Sequence, residues 1–266
     1  MDGMLNIAVR AARAAGALII RHVDRVDAIE VTAKGMNDFV SAVDKGAEQI
    51  IIDTIRRAYP AHGFIAEESG VDNESAEYCW IIDPLDGTTN FLHGFPQYAV
   101  SIAVARRGRV EYGVVFDPLR QEQFTASRGS GARLNDRRIR VSRQSGLNGA
   151  LLGTGFPFRS ADDIKPYLKT FEALAPVTAG IRRAGAAALD LAYVAAGRLD
   201  GFWEFGLKPW DYAAGALLIV EAGGMVSAPD GGDTWYESGN IVTGNPKVHA
   251  GVLNSIRPHL ADSLRQ

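Results

Sequence analysis

Apolar positions recur along this chain with two periods, and the changes between them mark out its elements. Leu5, Ala8, Val9, Ala12, Ala15, Ile19, Ile20 and Val23 repeat every three or four residues, which predicts an amphipathic first helix. Val43, Ala47, Ile50, Ile51, Ile55 and Ala58 give a second helix, capped by Ser41 and stopped before Pro60. Short apolar runs follow at Phe64 to Glu67 and Tyr78 to Ile82, and Pro84 is expected to end the second because proline cannot donate to a sheet ladder. Tyr98 to Ala105 and Val110 to Phe116 flank Arg107-Gly108 as an antiparallel hairpin, and Gln123 to Ser127 adds a strand. The Gly-, Ser-, Asn- and Arg-rich stretch from Arg128 to Gly149 marks passage into a second half. There the pattern predicts a strand at Ala150 to Gly153 and helices near Asp162 to Ala175 and Ala187 to Ala196. A strand at Gly201 to Glu204 follows, then a helix opening near Trp210 and ended by Gly223-Gly224. Two halves are expected, residues 1–145 and 146–266.

Composition narrows the function classes. With 266 residues and 47% apolar content the chain can bury a large core. A net charge of -3 excludes a dedicated, uniformly basic nucleic-acid binder. No run approaches eighteen consecutive apolar residues and the start lacks a secretory pattern, so a cytoplasmic protein without a membrane partner is expected. Cys79 is the only cysteine, which rules out an internal disulfide and reads as a buried structural thiol. His22, His62, His93, His249 and His259 form no zinc pattern, and Ser69, Ser101 and Ser227 lack a nucleophile-elbow context.

The chemistry concentrates in Trp80-Ile-Ile-Asp83-Pro84-Leu85-Asp86-Gly87-Thr88-Thr89-Asn90. Two carboxylates three residues apart would point to opposite faces of a straight strand, so a turn is needed to bring Asp83 and Asp86 onto one cation. That turn frees the Leu85 carbonyl as a further oxygen donor, and Gly87 lets backbone approach a ligand closely. Thr88 and Thr89 add hydroxyls and N–H groups suited to phosphate. All-oxygen ligation favours magnesium or manganese over zinc. Asp86 or Thr88 acting only as a helix cap is the alternative.

This string resembles the first signature of the inositol monophosphatase family. Pro209-Trp210-Asp211-Tyr212-Ala213-Ala214-Gly215 with Leu217 to Gly224 is similar to the carboxy-terminal signature, and Phe64 to Ser69 to a third segment. The resemblance runs from about residue 5 to 260 and implies an α+β fold, a layered α/β/α/β/α sandwich. It also implies two or three magnesium ions, or manganese. Asp83 would bridge metals, Glu67 and the Leu85 carbonyl would complete one site, and Asp86 with Asp211 another. Four such charges in a partly dry cleft would repel severely without cations. Asp211 near a helix start, and Asp44 in Ser41-x-x-Asp44, can each equally serve as caps.

By the same resemblance Asp44, Thr88 and Glu67 are catalytic, with Asp44 accepting from the Thr88 hydroxyl and Thr88 directing a water. Asp86, Gly87, Thr88, Gly185, Ala187 and Glu204 would bind substrate; Ala186 stands where the family has threonine or serine, which removes one hydrogen bond. Lys34 is offset by one residue from the family's phosphate lysine. The implied activity is hydrolysis of inositol 1-phosphate and similar small polyol phosphates, with lithium inhibition and a homodimer. Fructose 1,6-bisphosphate and 3'-phosphonucleotides are related candidates. Ala188 to Arg198 is most similar to a bacterial branch that works with Nus factors, RNA polymerase and ribosomal RNA in transcription antitermination, with dispensable phosphatase activity. Six arginines between Arg128 and Arg143, with Arg182 and Arg183, suit an acidic partner or RNA, and Arg137, Arg138 and Arg183 are the candidate contacts. A solvated hairpin is the plainer reading.

Overall fold

The computed structural model describes residues 3–28, 31–35, 38–157, 163–261 and 264; the side chains of Lys34 and Asp38, and Asp162, lie outside the described set. The elements run α1 (Gly3–His22), β1 (Val31–Gly35), β2 (Asp38–Ser41), α2 (Ala42–Ala58), β3 (Gly63–Ala66), β4 (Gly70–Asp72), β5 (Tyr78–Asp86) and α3 (Thr88–Leu92). Then come β6 (Ala99–Arg106), β7 (Arg109–Asp117), β8 (Glu122–Ser127), β9 (Gly131–Leu134), β10 (Arg137–Arg138), β11 (Leu151–Thr154) and α4 (Ile164–Leu174). The chain closes with β12 (Gly180–Arg182), α5 (Ala187–Ala195), β13 (Gly201–Glu204), α6 (Pro209–Glu221), β14 (Met225–Ser227), α7 (Trp235–Ser238), β15 (Ile241–Gly244) and α8 (Pro246–Ile256).

Eight strands form one sheet in the order β10-β9-β8-β7-β6-β5-β3-β4, and five form another in the order β12-β11-β13-β15-β14. Leu5, Ala12 and Ile19 of α1 and Ile51 and Ile55 of α2 pack on Trp80, Ile82 and Val104 of one sheet face. The opposite face, with Ile81, Ala103 and Val115, packs on α5 and α6, which also meet Phe202 and Ile241 of the second sheet. Beyond that sheet, Tyr167 of α4 and Val248, Val252 and Ile256 of α8 close over Trp203 and Val242. The result is helix, sheet, helix, sheet, helix, the expected α+β layering. Each fully buried large side chain contributes about 1.5–3 kcal/mol.

Helix α1 is long and apolar enough, by length and composition, to cross a bilayer. Its apolar stripe lies instead on α2 and the sheet, and Arg10, Arg13 and Arg21 punctuate the rest. Cys79 is buried, and burial pushes its thiol up to about 11, which leaves it unreactive.

One expectation needs correction. Strand β5 does not end at Pro84: Asp83 pairs with Ser101 and Asp86 with Ala99, and the residues between them bulge. A bulge tolerates proline because the displaced residues need no ladder partner. After Arg128, β9 and β10 extend the eight-stranded sheet before the chain reaches β11 of the second sheet.

Candidate active site

The bulge in β5 does what the turn was expected to do. Leu85 N–H folds back to donate to Asp83 Oδ1 at 3.0 Å, so Asp83 and Asp86 both come to face one cavity. Gly87 follows in the left-handed region at φ 93°, and a Cβ there would come within 2.8 Å of the Gln97 carbonyl. Only glycine fits. From there α3 begins with Thr88, whose hydroxyl donates to Asp44 Oδ1 at 2.7 Å and lies 3.0 Å from the Leu85 carbonyl.

Asp44 holds both of its readings at once. Its Oδ2 accepts from Ser41 N–H at 2.9 Å and from the Ser41 hydroxyl, while Ser41 Oγ accepts from Val43 and Asp44 N–H: a complete capping box on α2. Oδ1 remains for Thr88. Burial raises the Asp44 pKa, and the donors from Ser41 and Thr88 pull it partly back.

The remaining acids arrive from separate elements. Glu67 follows β3, and its N–H donates to the Ile82 carbonyl at 3.1 Å, beside β5. Glu48 of α2, 3% exposed, accepts from Glu68 N–H at 2.9 Å and Ser69 N–H at 2.8 Å, fixing the loop that carries Glu67. Asp211 lies in the first turn of α6, where its Oδ2 accepts from Lys208 N–H at 2.7 Å, so its cap reading also holds. Ser101, the cross-strand partner of Asp83, donates from Oγ to the Trp210 carbonyl at 3.0 Å and pins the start of α6 beside β5.

The cavity, about 480 Å³, is lined by Glu67, Asp83, Leu85, Asp86, Gly87, Thr88, Gly185, Ala187, Glu204 and Asp211. Asp44 lies behind Thr88. Every residue expected to bind metal or substrate is therefore gathered at one place, where strands β3, β5, β11 and β13 end and α5 and α6 begin. Arg183 lines the same cavity, with its guanidinium 5.1 Å from the centre of the Phe156 ring. Arg137 and Arg138 are exposed on β10, five strands from β5, or about 24 Å at normal strand spacing.

Among the cavity residues that carry no role in the sequence reading, three stand out. Asp190, 2% exposed on α5, is pushed up to about 8 by burial, against the pull of Arg183. A lone acid in the apolar run Ala187 to Ala195 is a signal legible without coordinates. Asn90 and Phe156 are the others: Asn90 closes the Trp80 to Asn90 string and lies on α3, whereas nothing in the local sequence of Phe156 sets it apart from an ordinary loop residue.

Burial, then the charges of Glu67, Asp86 and Asp211, hold Asp83 well above the usual carboxylate range. Burial and Asp211 do the same to Asp86, against the pull of Ala188 N–H, which donates to Asp86 Oδ2 at 2.7 Å. Glu204 is raised by burial, Asp211 and Asp190. Four segments thus place like charges where they repel, an arrangement that divalent cations relieve. Among the described residues no three His, Cys, Asp or Glu side chains close around an ion as they rest here. The carboxylates are turned instead onto backbone N–H groups and onto each other, Asp83 sharing a hydrogen bond with Glu67. The donor set, carboxylates with the Leu85 carbonyl, fits a hard divalent cation.

The sequence profile of the inositol monophosphatase family matches residues 1–261. The chain belongs to the inositol monophosphatase family. Family membership makes it a phosphatase by descent, of a group that is generally metal-dependent. The Nus factor SuhB of Pseudomonas aeruginosa is 58% identical, with both chains covered in full. The extragenic suppressor protein suhB of Bartonella henselae is 43% identical with a TM-score of 0.94, over 97% of this chain and all of that one. An inositol monophosphatase from Anabaena is 40% identical with a TM-score of 0.86, over 96% of this chain and 95% of its own.

Proposed function

We propose that the chain is a magnesium-dependent phosphomonoesterase acting on inositol 1-phosphate and similar small polyol phosphates through an activated water. The observation that carries this reading is the convergence of Glu67, Asp83, Asp86 and Asp211 on one cavity that also holds the Thr88–Asp44 pair. Magnesium ions, or manganese, held by these four carboxylates and the Leu85 carbonyl would neutralise phosphate charge and lower the pKa of a water.

The chain's own residues do the rest. Thr88 donates its hydroxyl hydrogen bond to Asp44, which leaves a lone pair of Thr88 Oγ1 to accept from a water and aim it at phosphorus. The capping box keeps Asp44 an acceptor, because Ser41 occupies its other oxygen. Asp86, Glu204 and the Gly185–Ala187 backbone line the cavity and would bind the hydroxyls of the polyol. A hydrolysis panel of inositol 1-phosphate, fructose 1,6-bisphosphate and a 3'-phosphonucleotide, with magnesium or with chelator, tests the reading. Magnesium-dependent release from inositol 1-phosphate is expected, with inhibition by lithium; release unaffected by chelator would reject it.

A second reading rests on the full-length 58% identity to a protein named Nus factor SuhB. On that reading the chain, as a homodimer, also joins Nus factors, RNA polymerase and ribosomal RNA, with the exposed Arg137 and Arg138 as contacts. Charge reversal at both should abolish antitermination while hydrolysis persists. An unchanged transcription assay would remove those two residues from the interface.

A further inference from the structure

Asn90 sits in the cavity wall with its amide engaged by the backbone. Its Nδ2 lies 2.7 Å from the Gln97 carbonyl, 2.8 Å from that of Ala184 and 3.2 Å from that of Gly185. Three carbonyls around one terminal atom fix it as the nitrogen, since an amide oxygen there would meet only acceptors. Gln97 belongs to the chain leading into β6, whereas Ala184 and Gly185 precede α5. The side chain therefore ties the segment carrying Gly87 and Thr88 to the loop on the other side of the cavity.

Gly185 supplies an independent observation of the same contact. Its backbone is left-handed at φ 85°, and a Cβ there would come 3.2 Å from Asn90 Nδ2 and 2.7 Å from an Arg183 nitrogen. A side chain there would have to push the Asn90 amide aside by a few tenths of an ångström, so the loop packs tightly on it. One further link crosses nearby, from Ala188 N–H to Asp86 Oδ2. The two ties divide the work: Asp86 reaches the first turn of α5, and Asn90 holds the peptides just before it.

We propose that Asn90 is a positioning residue for substrate, holding the Gly185–Ala187 loop in register with the Asp83–Thr88 segment without touching metal or phosphate itself. This rests on the phosphomonoesterase reading above. Loss of the amide donors would let the loop drift by a fraction of an ångström, and polyol contacts depend on that placement. Metal binding would not depend on it, because the β5 bulge, not the Asn90 amide, places the carboxylates of Asp83 and Asp86, and Glu67 and Asp211 come from other elements.

Asn90→Asp is the sharpest variant, because it keeps the shape and puts carboxylate oxygens against carbonyl oxygens. Asn90→Ala removes the donors without that repulsion and keeps the test open where the aspartate variant fails to fold. Kinetics on inositol 1-phosphate, magnesium affinity by calorimetry and thermal melting are measured on both folded variants. KM is expected to rise about tenfold for Asn90→Asp and about threefold for Asn90→Ala, with kcat and magnesium affinity within a factor of about two. A folded variant with unchanged KM in an active background overturns the inference and leaves the phosphatase reading standing. Magnesium affinity falling as far as KM rises also overturns it, making Asn90 a support of the metal-bearing strand. A wild-type chain that hydrolyses none of the panel esters removes the reading itself, and the inference with it.

Discussion

The two helix pairs that flank the eight-stranded sheet solve opposite problems. Helices α1 and α2 bury one stripe and leave the other in water, so charged residues are common on them, and Asp44 and Glu48 of α2, both buried, look no different in sequence from the exposed Asp53 of the same helix. Helices α5 and α6 lie between two sheets and are apolar nearly all round; Asp190 and Asp211, at their cavity ends, are exceptions that no core requires. A buried acid on a sandwiched helix announces a site. On an amphipathic helix the same acid is camouflaged.

The contrast predicts where function and stability separate. Asp211→Asn should lower phosphate release about a thousandfold, as loss of a principal transition-state charge partner does. The metal-free protein should melt no lower, because one of the mutually repelling charges is gone while the amide oxygen can still accept from Lys208 N–H. In the outer layer the two quantities should fall together. Asp44→Asn is expected to cost about a hundredfold in rate and about 1 kcal/mol in stability, since it serves both Thr88 and the capping box. Thr88→Val should reproduce the rate loss and spare the cap. Rates and melts of these variants side by side check the division.

Packing sharpens it further. A Cβ on Gly215 of α6 would lie 2.5 Å from Leu191 Cβ of α5, so Gly215→Ala should destabilise by about 1–3 kcal/mol. On α2, a Cβ on Gly46 meets only the end of Leu18 at 3.0 Å, and Gly46→Ala should be neutral or stabilising by up to about 1 kcal/mol through helix propensity. Denaturant melts decide both. The smallest expected effect is in pH. His62 stacks between Tyr59 and Tyr78 and accepts from Trp80 Nε1 at 3.0 Å, and burial lowers its pKa below 6.5. The unfolded chain takes up that proton first, so this stability is present above pH 6.5 and lost as pH falls through the folded value. His62→Gln should flatten that slope in melts across pH 5–7.

The same contrast governs what the sequence disclosed. Periodicity found α1, α2, α5, α6 and the β6–β7 hairpin, because long amphipathic or apolar runs carry their own phase. It passed over β1, β4, β12, β14 and β15, whose few residues gain their place from neighbours rather than from any pattern of their own. The acids of the site were legible through motif and spacing, and the bulge that aims Asp83 and Asp86 was anticipated as a turn. The role of Asn90, which stands inside the signature string, and that of Glu48 were not, since each acts on backbone atoms of segments distant in sequence, Ala184 in one case and Glu68 in the other. Such partners leave no local trace.

Asp83 joins the most of these relationships, lying beside Glu67, Asp86 and Asp211 and opposite Ser101. Calorimetric titration of magnesium into Asp83→Asn, with phosphate release from inositol 1-phosphate followed in the same samples, is therefore the most direct test. The account predicts a folded protein in which magnesium binding and hydrolysis are lost together. Wild-type magnesium affinity with undiminished hydrolysis would contradict it.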